Sequence, residues 1–485
     1  VQKRKSKKSE APKHYFPALH EKQEFGFFSE ANEILYGGAA GGGKSHLIRM
    51  IAIFFLFKID GIQIYLFRRH LKDLVKNHLN GATGFRALLK PWVDAKKIKI
   101  DSVKKEIRYG NSCIFLCHCK TEHSVYEHQG IEFHILLIDE LTHFTSTIYK
   151  YLRTRLRCTG IKIPPEFKDK IPFIFAGTNP GNIGHNWVKQ TFVTHAPNYA
   201  VARAEKEDGG MLRQFIPALI TDNPTLLKDD PHYIDRLRGS GSKNLVRALL
   251  HGDWNIIEGG MFDDVWDDDT HIITPFRIPR SWRKDRSFDW GSSKPFSVGF
   301  WAESDGTEVE IKKGIFRTFP RGSLFRIGEI YGWNGEANKG LKLSSKEICK
   351  LIKNFEEKSG YKFEAGVADS SIYDTHDKHS GSIANSFLDE NIEWKRANKS
   401  PGTRIIGWDL IRERLKNTIE NSDSPHFYVF DSCTQFKRTF PVLPRSEKNP
   451  DDVDTAAEDH IGDETRYRIL DTLDSLTISK IKRGI

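Results

Sequence analysis

Cysteine is scarce in this chain, with six in 485 residues. A chain of that length can bury its own core, and so few thiols exclude a disulfide framework. Cys113, Cys117 and Cys119 do lie near His118 and His123. They contain no C-x-x-C pair, however, and the segment alternates as a strand does, which argues against zinc. Long apolar runs are missing too. The longest, around Ile51 to Phe57, is far too short to span a bilayer. No signal peptide is visible, so a soluble, intracellular protein is expected. There is no internal repeat. What remains is an ordinary globular composition, 38% hydrophobic and 28% charged. Its length favours two domains. Lys plus Arg number 74 against 64 Asp plus Glu, a net charge of +10 with a pI near 9.0. That balance favours an anionic partner, nucleic acid first. The run Lys3-Arg4-Lys5-Ser6-Lys7-Lys8 reads as a disordered basic arm over residues 1–12, either touching DNA or simply solvated.

Against that background one motif stands out. Gly38-Ala39-Ala40-Gly41-Gly42-Gly43-Lys44-Ser45 satisfies G-x-x-x-x-G-K-[ST], the phosphate-binding P-loop. An apolar strand, Ile34 to Tyr36, precedes it, and the apolar stretch His46 to Phe57 reads as the helix that follows. Glycines let backbone N–H groups approach phosphate oxygens, and the helix N-terminus adds partial positive charge. Lys44 can reach the β- and γ-phosphates of ATP, and Ser45 can hold Mg²⁺. Further strands are expected at Ile62 to Phe67, in a hairpin over Lys97 to Cys119, and at Phe133 to Ile138, where four aliphatics end in Asp139-Glu140. This is a Walker B pattern, with Asp139 for Mg²⁺ and Glu140 to orient or deprotonate the attacking water. The strand Ile171 to Gly177 runs into Thr178-Asn179-Pro180, small polar groups placed to sense the γ-phosphate. Gln23 is a candidate reader of adenine. A helix is expected across Tyr149 to Arg157. One of Arg153, Arg155 and Arg157 could serve a neighbouring subunit as an arginine finger. Alternation of strands and helices predicts an α/β, RecA-like ATPase domain with a parallel-rich sheet over residues 1–255.

Glycine and aspartate in Glu258 to Asp264 read as a linker, set at 256–280. Beyond it, at 281–485, the expected elements change order. A hairpin carries Asp289 on its first strand, and a later strand ends near Asp369. Ser344-x-x-Glu347 opens a helix. A final helix, Thr455 to about Leu473, carries Asp459, His460 and Asp463. Three carboxylates delivered to one sheet edge describe a ribonuclease H-like nuclease. Two Mg²⁺ or Mn²⁺ ions would there activate water and stabilise the leaving 3′-oxygen. The proposed set is Asp289, Asp369 and Asp463, with His460 as neighbour and Asp459 the rival for third place.

With both halves placed, the chain resembles the large terminase subunit of tailed bacteriophages. The resemblance rests on Gly38 to Ser45, Leu136 to Glu140, Thr178-Asn179-Pro180, Thr221-Asp222-Asn223-Pro224 and Leu250-His251-Gly252-Asp253-Trp254. Phe288-Asp289-Trp290-Gly291 and Asp459-His460-x-x-Asp463-x-x-Arg466-Tyr467 complete it. It implies a packaging motor that spends ATP to drive double-stranded DNA through a portal protein into a capsid, and a nuclease that cuts concatemers. It further implies a small terminase subunit as guide and a ring, commonly a pentamer, at the procapsid portal in the cytoplasm of an infected bacterium, with a monomer in isolation. One departure is that Ala39 and Ala40 stand where many members carry a P-loop arginine. A helicase-nuclease of DNA repair or defence is the alternative, but it would carry a second RecA-like domain, and only one P-loop is found. A nucleotide-gated scaffold, in which the acids are merely solvated, is a further alternative.

Overall fold

A computed structural model describes residues 18–239, 246, 250–254, 260–336, 338–374, 381–446 and 448–482. The basic arm lies outside the described residues. The chain divides into two compact units, residues 1–258 and 259–485.

The first unit is built on a nine-stranded sheet. Its strands are β1 (Glu33–Gly38), β2 (Gln63–Arg68), β3 (Ile98–Asp101), β4 (Glu106–Tyr109), β5 (Ser112–His118), β6 (Ile135–Asp139), β7 (Phe173–Thr178), β8 (Val201–Arg203) and β9 (Leu212–Ala218). They run in the order β3-β4-β5-β2-β6-β7-β1-β9-β8. From β5 to β9 every neighbour is parallel. β1, β6 and β7 are buried along their whole length, which is why they read as unbroken apolar runs rather than alternating ones. β7 separates the P-loop strand from the Walker B strand, the RecA-like order. Register aligns Phe67 with Ile138, Asp139 with Gly177, and Gly37 with Thr178. Arg68, Asp139, Thr178 and Gly38 therefore end in a row at the carboxyl edge, where ligands of such sheets bind. The helix Lys44–Lys58 packs Leu47, Ile48, Ile51 and Phe55 into the core beneath that edge. Each such side chain contributes about 1.5–3 kcal/mol when fully buried.

The second unit carries a seven-stranded mixed sheet. Its strands are β10 (Ile272–Ile273), β11 (Arg283–Asp289), β12 (Ser297–Glu303), β15 (Leu324–Tyr331), β16 (Gly366–Ala368), β17 (Trp394–Arg396) and β18 (Phe427–Phe430), while β13 (Glu308–Lys312) and β14 (Ile315–Thr318) form a separate hairpin. The order is β10-β18-β15-β12-β11-β16-β17. β12 is antiparallel to both neighbours, while β11, β16 and β17 run parallel. This is the ribonuclease H-like arrangement expected.

Two expectations need correction. Residues 260–280 are not a free linker. Met261, Phe262, Val265, Trp266 and Ile278 are buried in the core of the second unit, and Phe262 stacks on Phe440 with ring centroids 4.5 Å apart. The glycines and aspartates of this stretch had masked an apolar set that anchors it. The final helix spans His460–Lys482 rather than starting at Thr455. Asp459 immediately precedes it, and its carbonyl accepts the Asp463 N–H at 2.8 Å.

Candidate active sites

In the first unit the glycines do what the motif requires. Gly38, Gly41 and Gly43 have φ of 128°, 72° and 75°, which L side chains rarely adopt. A Cβ at Gly41 would lie 2.8 Å from Leu226. The loop is braced from outside. Asn223 donates to the Gly41 carbonyl at 2.7 Å, and Tyr36 donates to the Gly42 carbonyl at 3.2 Å. Lys44 Nζ donates to the Ala39 carbonyl at 2.7 Å and to Asn179 Oδ1 at 2.5 Å, so the lysine and the strand-end asparagine converge. Thr178 Oγ1 bonds Thr142 Oγ1 at 2.8 Å and donates to the Asn179 carbonyl at 3.1 Å.

Ser45 Oγ donates to Asp139 Oδ1 at 3.2 Å. Burial alone would raise Asp139, but His78, Arg68 and Lys44 outweigh it and hold the carboxyl below its ordinary range. An ionised carboxylate beside a hydroxyl is a fitting pair for a hard Mg²⁺ ion. Glu140 has φ 59°, a left-handed backbone of the kind found at functional positions, and accepts from Arg68 Nη2 at 3.4 Å. Arg68 also pairs with Asp139 Oδ2 at 2.9 Å. Beside them a cavity of about 390 Å³ is lined by Arg68, Glu140, His143 and Asn179.

Gln23, the candidate reader of adenine, is engaged with the P-loop. It is buried, its amide nitrogen donates to the Gly43 carbonyl at 3.2 Å, and its oxygen accepts the His20 N–H at 3.0 Å. The side chain braces the P-loop. Nearby, His20, Lys22, Phe25, Tyr199 and Asp222 line a cavity of about 550 Å³. The arginine trio also resolves differently. The helix Ser146–Arg153 stops before Arg155 and Arg157, because Leu156 pairs with Phe133 as a β-bridge. Arg153 is spent on Glu33 at 3.0 Å and Asp208 at 3.3 Å, and Arg213 holds the same two acids at 2.7 and 2.9 Å. This is a structural network and not a reaching finger. Arg155 lies 5.1 Å from the Tyr151 ring centroid, and Arg157 is exposed.

In the second unit, Phe288 pairs with Ala368 and the Asp369 N–H donates to the Phe288 carbonyl at 2.9 Å. Asp289 and Asp369 thus leave adjacent parallel strands side by side. The final helix brings the rest. Its sheet-facing side carries His460, Glu464 and Arg468, one per turn. Glu464 is fully buried, bonded to Ser287, to Trp301 Nε1 at 3.2 Å and to Arg326 Nη1 at 2.5 Å. Arg468 Nε meets Asp285 Oδ1 at 2.5 Å. These ion pairs seat the helix so that His460 Nδ1 stands 3.1 Å from Asp289 Oδ2.

The acids feel one another. Burial, opposed by His460 and reinforced by Asp463 and Asp369, pushes Asp289 up to about 6. Burial and then Asp463 push Asp459 up to about 7. Internal cations answer this charge. Lys399 pairs with Asp369. Arg404 holds both oxygens of Asp463 at 2.9 and 3.0 Å and reaches Asp459 at 3.7 Å. Arg466 Nε adds a third bond to Asp463 at 3.1 Å. Among the described residues no group of three His, Cys, Asp or Glu side chains is poised to hold a metal. The donor chemistry suits Mg²⁺ or Mn²⁺, with Lys399 and Arg404 now engaging three of the four carboxylates, Asp369, Asp463 and Asp459. Sequence reasoning missed Arg404 and Lys399, whose partners lie across the fold, and missed His78 entirely.

The family model for the large terminase subunit, T4likevirus-type, N-terminal, matches residues 35–266. That span takes in the P-loop, Walker B, Thr178-Asn179 and Leu250 to Trp254. This stretch is similar to the N-terminal part of large terminase subunits. No curated protein sequence matches it. Similar solved structures include the large terminase of a thermophilic bacteriophage in complex with ADP, 16% identical, covering 93% of this chain and 98% of that one with a TM-score of 0.39. The HK97 bacteriophage large terminase is 9% identical, covering 93% and 95% with a TM-score of 0.41. The nuclease domain of the P22 large terminase is 16% identical, covering 43% and 90% with a TM-score of 0.31. Both clusters of chemistry fall at the carboxyl edges of their own sheets. Among the described residues no helix is long and apolar enough to cross a membrane.

Proposed function

We propose that this chain is a large terminase subunit that hydrolyses ATP to drive double-stranded DNA into a viral capsid and cuts concatemeric DNA with its second unit. The observation that carries the reading is one chain holding two separate carboxylate sites at sheet edges. One is built around a P-loop lysine, the other around strand-end aspartates.

At the first site, Gly38 to Gly43 would cradle the phosphates and Lys44 would neutralise them. Bound Mg²⁺, held by Ser45 and Asp139, would offset phosphate charge during transfer. Glu140 orients and deprotonates the attacking water, and Asn179, already on Lys44 Nζ, registers whether the γ-phosphate is there. The cavity beside His20, Phe25 and Tyr199 is the candidate base pocket, with Gln23 holding the loop rather than the base. At the second site Asp289 and Asp369 are the metal ligands, with Asp463 third and Asp459 its rival. A metal there would activate water and stabilise the leaving oxygen, while His460 orients Asp289 through Nδ1.

The partners are double-stranded DNA, a portal protein, a small terminase subunit and further copies of this chain in a ring, commonly a pentamer, at the procapsid in the host cytoplasm. The free chain is a monomer. The experiment is a separation of activities. Glu140→Gln abolishes ATP turnover and spares metal-dependent cleavage of supercoiled plasmid, and Asp289→Asn does the reverse. Loss of both activities from one folded variant refutes the two-site assignment.

A further inference from the structure

His78 serves no role in the mechanism above, yet its environment is unusual. The chain leaves β2 at Arg68, forms a short helix at Leu71–Leu74 and continues as a single π-turn over Val75–Leu79. Such turns are rare and concentrate at functional sites. The turn carries His78 fully inside the protein, at 0% exposure. Its Nε2 stands 2.8 Å from Asp139 Oδ2. Its Nδ1 has no partner among the described residues. An apolar side chain of similar size would fill the same volume without desolvating a ring nitrogen, so packing alone does not account for an imidazole here.

The segment is also fixed in place. Arg49, on the P-loop helix, donates to Asn77 Oδ1 at 3.4 Å and to Thr83 Oγ1 at 3.0 Å. Leu74, Leu79 and Phe85 are buried in the core. The imidazole is held against the Walker B carboxylate, which Ser45 Oγ also reaches.

An ionised carboxylate can only accept, so Nε2 carries the proton and donates. With His78 and Arg68 both on Oδ2, the Asp139 carboxylate is held in one rotation. Ser45 Oγ lies 3.2 Å from Oδ1 and 3.3 Å from Oδ2, and Oδ1 is the oxygen that neither His78 nor Arg68 engages. We propose that His78 is a positioning residue for the nucleotide-bound Mg²⁺, fixing the Asp139 carboxylate so that Oδ1, the oxygen that His78 and Arg68 leave unengaged, is presented to the metal. The inference rests on the reading of this site as an Mg²⁺–ATP site. The logic is that of an outer-shell hydrogen bond orienting a metal ligand, whose loss commonly weakens metal affinity about 10- to 100-fold.

The test compares wild type with His78→Gln, His78→Asn and His78→Leu in the full chain. The Gln amide reaches the place of Nε2, the Asn amide does not, and Leu keeps the shape without a donor. The readout is equilibrium binding of a fluorescent, non-hydrolysable ATP analogue, first in EDTA and then across a series of Mg²⁺ concentrations. The expected result is equal binding in EDTA for all four proteins. The Mg²⁺ needed for half-maximal enhancement rises about 10-fold or more in the Asn and Leu variants and stays near wild type in Gln. At saturating Mg²⁺, kcat of the altered proteins returns toward wild type. A folded Leu or Asn variant with wild-type Mg²⁺ dependence overturns the proposal. Should Leu fail to fold by circular dichroism, the Gln and Asn pair decides, and equal behaviour of the two overturns it. A wild-type chain that binds the analogue without any response to Mg²⁺ overturns the Mg²⁺–ATP reading as well, which separates the two failures.

Discussion

Neutralising one acid of the nuclease cluster should make the protein more stable, and Asp459→Asn is the sharpest case. Asp459 is 5% exposed. Burial, Asp463 and Asp289 together push its pKa to about 7 against the pull of His460 and Arg404. An aspartate in an unfolded chain titrates near ~3.9. Between those values the folded state holds a proton that the unfolded state has released. Stability therefore falls as pH rises through that window, and the cost is complete above pH ~7. One pKa unit corresponds to about 1.4 kcal/mol, so the full shift costs about 4 kcal/mol. Asp463 and Asp289 contribute to raising Asp459, so part of that cost is shared with them. The return from one substitution is about 2 to 4 kcal/mol. The assay is urea unfolding of wild type and variant in EDTA, followed through the transition that the substitution shifts. At pH ~7.5 the variant should be the more stable by that margin, and the gap should shrink to about a third by pH ~5. Mn²⁺ at the higher pH should stabilise wild type more than the variant, because the metal supplies the missing counter-charge. A variant less stable than wild type at pH ~7.5, or a gap indifferent to pH, would refute the reasoning.

Other perturbations follow from the same geometry. Glu464→Ala leaves Arg326 buried without its closest acid, and unfolding should ease by about 3–5 kcal/mol, with nuclease activity lost alongside the fold of the second unit. Arg153→Met should destabilise the first unit, measured by its melting temperature, and still support ATP turnover at low temperature. A folded, stable Arg153→Met protein devoid of ATPase activity would return that arginine to a catalytic role. Gln23→Ala should weaken ADP and GDP binding alike in a competition assay, since Gln23 supports the loop and not the base. Loss of ADP binding alone would contradict this. DNA affinity should fall steeply as salt rises from about 50 to 200 mM, and a flat response would argue against backbone tracking.

Much of this was legible in the amino-acid order. Buried parallel strands announce themselves as aliphatic runs, and a run that ends in Asp139-Glu140 says which edge the ligand meets. The capping box at Ser344 and Glu347 opened its helix as expected, with Ser344 Oγ accepting the Glu347 N–H. What escaped has a common cause. Gln23, Arg153, Arg404 and His78 take their roles from partners 20, 120, 59 and 61 residues away, and no local spacing encodes those meetings. The stretch after residue 260 misled for a different reason. Its Asp and Gly content dominates a composition reading, while Phe262 and Trp266, four apart, supply the contacts that decide its place.

The seating of the final helix has a consequence for control. Its buried Glu464 and Arg468 each answer a charge on the sheet, at Arg326 and Asp285. A slip by one residue would put Thr465 and Ile469 opposite those charges and strand four ions at once. The sheet thus accepts the helix in one alignment, the one that delivers Asp459, His460 and Asp463 together. A domain that has folded at all has its acids lined up, so idleness cannot be achieved by misplacing the helix. Restraint on cutting must act downstream of folding, through who reaches the carboxylates first: metal, DNA, or the protein's own Lys399 and Arg404.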